Sequence, residues 1–102
     1  MHATTIIKVE GLASEALKEA YMRVRAALGE KVEGGHVPGW GPEDGGAWLT
    51  TKKYQVSLSY FHPRPDLKKK SLLEVFYSGE IPEEDLKRVS DTLHSPPLPS
   101  QK

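Results

Sequence analysis

At 102 residues the chain has room for one modest core, and with no cysteine it can form neither disulfides nor thiolate metal sites. Lys and Arg number 14 against 14 Asp and Glu, and zero net charge argues against a dedicated nucleic-acid binder. No apolar run approaches the roughly 18 residues of a membrane-spanning helix, and the start MHATTIIKVEG has no signal-peptide pattern, so a cytoplasmic protein with no membrane partner is expected.

Residues 4–10, TTIIKVE, are β-branched and short, and predict a first strand ended by Gly11. Ser14 stands at an N-cap position. After it Leu17, Ala20, Tyr21, Val24, Ala27 and Leu28 recur at spacings of three and four. Charged residues fill the other side, which predicts an amphipathic helix with one buried stripe, stopped by Gly29.

Seven of the nine glycines lie between Gly29 and Gly46, and this stretch has neither a helix nor a strand period. It is expected as one long connecting loop with Trp40 near its middle. Pro38 and Pro42 stiffen the chain around Trp40, and a large aromatic so placed points to a contact with a partner.

From Ala47 to Phe61 the residues alternate, with Trp48, Tyr54, Val56, Leu58 and Tyr60 sharing one parity. This predicts one strand with those side chains on a core. Residues 71–78, SLLEVFYS, predict the next strand, and matching the core faces pairs Tyr60 with Leu73, Leu58 with Val75 and Val56 with Tyr77. The segment 62–71, HPRPDLKKKS, then becomes the turn of a hairpin. Pro82 suits the first position of a last helix with Glu83, Glu84 and Asp85 in its first turn, and Leu86, Val89 and Leu93 as its stripe.

The expected fold is an α+β two-layer sandwich in the order β-α-β-β-α. A three-stranded, mostly antiparallel sheet carries both helices on one face. Residues 1–94 form its single domain, and the proline-rich residues 95–102 a flexible tail. The motif Ser95-Pro96-Pro97-Leu98-Pro99 also has the form of a polyproline II ligand.

Charge is segregated along the chain. Residues 52–70 carry six basic side chains against one acidic, so the middle is +5 between flanks of −2 and −3. Arg64, Lys68, Lys69 and Lys70 form a basic tip suited to an acidic surface or to phosphates. On the outer face of the expected sheet lie Ile6, Phe61, Leu72 and Phe76, more apolar area than a wet face needs.

His2, His36, His62 and His94 have no metal-ligand spacing, so no metal or cofactor is expected. His36 with Glu43 and Asp44 offers acid–base groups, but a glycine-rich loop is a poor support for catalysis, and no enzyme is expected. The leading expectation is a protein-binding adaptor or inhibitor. It uses Trp40 and His36 of the loop together with Ile6, Phe61, Leu72 and Phe76, and a homodimer is one way to cover such a face. Nucleic-acid binding through the basic hairpin 62–70 is the alternative, with Phe61 and Phe76 as stacking rings.

Overall fold

The computed structural model describes residues 3–36 and 45–100. Strand β1 (Thr4–Glu10) leads into helix α1 (Glu15–Leu28). Four strands follow, β2 (Gly34–His36), β3 (Gly45–Thr50), β4 (Tyr54–Phe61) and β5 (Leu72–Gly79), and helix α2 (Glu83–His94) closes the order. The fold is α+β, but the sheet has five strands in the order β1-β5-β4-β3-β2, all antiparallel, and not three.

Two departures from the expectation account for the extra strands. The glycine stretch is not all loop: Gly34, Gly35 and His36 pair with Thr50, Leu49 and Trp48. The alternating segment 47–61 is not one strand, because the chain turns back at residues 51–54. There the Thr51 amide donates to the Tyr54 carbonyl at 2.9 Å, and the Tyr54 amide donates to Thr51 Oγ1 at 3.2 Å. A two-residue reversal, Lys52-Lys53, joins β3 to β4 as a hairpin.

Residues facing each other across a hairpin share a face, so parity inverts at this turn. Leu49 lies opposite Val56 and is fully buried with it. Trp48 lies opposite Ser57 and points outward, 42% exposed. The expectation that Trp48 joins the core is thereby corrected.

The pairing of β4 with β5 follows the hydrophobic match, with Tyr60 opposite Leu73, Leu58 opposite Val75 and Val56 opposite Tyr77. Both helices cover the inner face. Ala16, Leu17, Ala20, Tyr21, Val24 and Leu28 of α1 and Val89 and Leu93 of α2 are buried against it. Helix α2 begins at Glu83, with Pro82 in the capping position.

Strand β1 has a bulge between Thr5 and Ile7, and the extra residue Ile6 packs against the core rather than joining the outer face. Residues 95–100, set apart by composition as a tail, make specific contacts. Leu98 is buried, the Ala13 amide donates to the Pro99 carbonyl at 2.9 Å, and Arg23 donates to the carbonyls of Thr92, Pro96 and Pro97.

Candidate functional site

With both helices on the inner face, the outer face of the sheet is free of any described helix or segment. Its side chains form rows across the strands, because antiparallel partners project to the same side. One row runs His36, Trp48, Ser57, Phe76, Thr5 through all five strands. The rings of His36 and Trp48 stack at a centroid distance of 4.6 Å, with planes 16° apart. The next row, Gly46, Ser59, Glu74, Lys8, is polar, and Thr5 donates to Glu74 at 3.0 Å. A third pair, Phe61 with Leu72, lies four residues along the strands from the first row, roughly 13 Å away.

Gly35 makes the stack geometrically accessible. A Cβ there would lie 2.5 Å from the Trp48 carbonyl oxygen, so only glycine lets this three-residue edge strand approach β3. His36 and Trp48 are then held as direct cross-strand partners.

Beyond Phe61 and Leu72 the chain forms the basic turn. A short 3-10 turn, Pro65–Leu67, is closed by paired backbone bonds between Arg64 and Lys69 at 2.9 and 3.0 Å. Lys68 takes the left-handed conformation at φ 55°. Arg64, Lys68, Lys69 and Lys70 are all exposed and border a groove of about 600 Å³, together with His62 and Glu10. Phe61, Leu67 and Leu72 supply its apolar lining, with Phe61 45% and Leu67 54% exposed. The His62 ring also meets Tyr60 edge-on at 5.1 Å.

At the opposite end of the β4–β5 hairpin a cleft of about 470 Å³ opens beside Asp85, which is 1% exposed. Lys31 Nζ donates to one carboxylate oxygen at 2.7 Å, and Tyr54 Oη donates to the other at 2.9 Å. The bond from Lys31 holds the Asp85 carboxyl below its usual range, against the opposing effect of burial. Burial, then the hydrogen bond to Asp85 and its charge, push the Tyr54 hydroxyl well above its ordinary value. Both carboxylate oxygens are occupied, and the network ties the start of α2 to the sheet and to the segment after α1.

The residues proposed from sequence therefore separate. Phe76 and His36 share one row, Phe61 and Leu72 lie together beside Arg64, Lys68, Lys69 and Lys70, and Ile6 falls out of the set. Trp40, Glu43 and Asp44 lie outside the described residues. Trp48 was missed as a surface residue. The polar run Thr50-Thr51-Lys52-Lys53, which interrupts the alternation, was the signal for it. Among the described residues no group of three or more His, Cys, Asp or Glu could hold a metal ion, and no helix is long and apolar enough to cross a membrane.

Comparison of the chain with protein-family models, with curated proteins and with solved structures finds no match.

Proposed function

We propose that this chain is a protein-binding module that engages its partner with the outer face of the sheet, as an adaptor or inhibitor in the cytoplasm. One observation carries the reading: Trp48, stacked on His36, stands exposed in the same row as Phe76, across Ser57, and no described segment covers that row. A tryptophan already stacked on a cross-strand neighbour loses less freedom on binding than a loose one, and such rings dominate contact energies. Stacking on His36 sets the ring plane before any partner arrives.

The test uses affinity capture with the parent chain and with Trp48→Ala, followed by titration of the captured protein after purification. The expected result is a loss of about 2 kcal/mol in binding for the variant. Identical capture by both chains would overturn the reading. A second copy of the chain is one partner the face could accept, and it would appear as a concentration-dependent dimer in sedimentation that Trp48→Ala dissociates.

A second reading, nucleic-acid binding through residues 62–70, is favoured by one observation: the exposed Phe61 ring and four cations border the same groove. Its mark would be an affinity for oligonucleotides that falls steeply with salt and less steeply once the lysines are neutralised.

A further inference from the structure

We infer that the groove beneath the 62–70 turn receives an acidic segment of the partner, an extended peptide with one large apolar side chain flanked by carboxylates. The inference rests on the protein-binding reading and gives that partner a chemistry.

Three features of the groove lead to it. First, its rim is largely cationic, since Arg64 and Lys68 to Lys70 line it and stand exposed, so carboxylates are the complementary charge. Second, its lining is apolar. Leu67 stands 54% exposed in the turn and Phe61 45% exposed at the strand end, which a turn serving only solubility does not require. Third, the cations are not on a loose arm. The Arg64–Lys69 backbone pair and the Lys68 amide, bonded to the Pro65 carbonyl at 3.1 Å, fix the backbone from which they project. Glu10 also lines the groove, so the segment's carboxylates sit against Arg64 and Lys68 to Lys70 and away from it.

A peptide fits this arrangement better than a nucleic-acid strand does. Phosphates repeat at every nucleotide and need a cationic track, whereas these cations are confined to one turn. A strand continuing from the groove onto the sheet would pass Glu10 and then Glu74, with Lys8 beside Glu74 as a single cation against the two acids. A stacking strand also wants several rings in succession, and Phe61 and His62 are the rings lining the groove.

The experiment titrates the full chain against fluorescein-labelled peptides by anisotropy. One peptide has a central Trp flanked by Glu and Asp. In a second, Gln and Asn replace the acids; in a third, Ala replaces Trp. A ten-residue oligothymidylate forms a fourth arm. The acidic Trp peptide is expected to bind about tenfold tighter than either peptide control. Lys68→Gln/Lys69→Gln/Lys70→Gln and Leu67→Ser, both at exposed positions, should each remove about that preference. Trp48→Ala should leave it intact. Equal binding of the neutral peptide, or an unchanged affinity in the triple variant, overturns the inference. So does tighter binding of the oligothymidylate, which would assign the groove to nucleic acid. A failed groove with a Trp48-dependent partner leaves the outer-face reading standing, and the reverse result removes that reading while keeping the groove.

Discussion

The ring of His36 lies nearly parallel to that of Trp48 at 4.6 Å, and the two residues are direct partners across the edge of the sheet. The contact joins a three-residue strand to the body of the fold while leaving the indole 42% exposed. A buried ring would serve stability and an unsupported one would collapse onto its surroundings. This one is positioned and still wet. Trp48→Ala should therefore change unfolding free energy by less than about 1 kcal/mol in urea titration, well short of the 3–5 kcal/mol of a core tryptophan.

Gly35 should not tolerate a side chain. In Gly35→Ala the methyl carbon would meet the Trp48 carbonyl at 2.5 Å, and the atom it meets is backbone, which cannot swing aside. Strand β2 should detach, with faster hydrogen exchange at the amides of residues 34–36 and 48–50. Trp48 emission, measured in a Trp40→Phe background, should shift to the red as the stack is lost.

Asp85 should make stability depend on acid. Its carboxyl is held low in the folded chain by the bond from Lys31, so its contribution is present above the unfolded value of about 3.9 and is lost as pH falls through the folded value. Urea unfolding between pH 2 and pH 6 should show the parent losing stability below about pH 4, and Asp85→Asn losing less over that range. At pH 7 the variant should be weaker by about 1–3 kcal/mol, because Lys31 loses a charged partner and the bond from Tyr54 changes. Tyr54, raised in the folded chain, has the opposite sign: it favours the fold below the ordinary tyrosine value of about 10 and ceases to do so far into alkali.

Leu98 is part of the core although it lies among prolines near the end of the sequence. Leu98→Ala should cost about 2–3 kcal/mol. Arg23→Ala should cost less, because it removes the bonds to the Thr92, Pro96 and Pro97 carbonyls but leaves the apolar contact. Thermal unfolding of the two variants separates these contributions.

How much of this was legible beforehand depends on which interaction decides each element. Where burial decides, the pattern sufficed: α1 follows its apolar row to Gly29, and the register of β4 on β5 follows from facing Leu58 with Val75. Where backbone geometry decides, it did not. Strand β2 is two glycines and a histidine, with no propensity for strand, and forms because β3 offers an edge close enough for glycine alone. Trp48 has the parity of Tyr54, and only the reversal at Lys52-Lys53 sends it outward. Ile6 joins the core through a bulge that simple alternation cannot represent. Asp85 is read as a first-turn acid complementing the helix dipole, yet two side chains from distant elements draw it inside. The candidate site suffers most, since one reversed parity moves its principal ring from core to surface.

Strand β1 pairs with β5, so Thr4 finds its place beside Tyr77. During synthesis β1 is made well before its partner β5, with α1 and three strands between them. With chains growing at about 5–20 residues per second, Ile6, Ile7 and Val9 wait several seconds without a neighbouring strand. In the folded sheet β1 stands at one edge, and the bulge at Ile6 breaks the regular row of backbone groups that this edge would otherwise offer to another chain. The irregularity that removes Ile6 from the outer face thus also guards the finished sheet against edge-to-edge association.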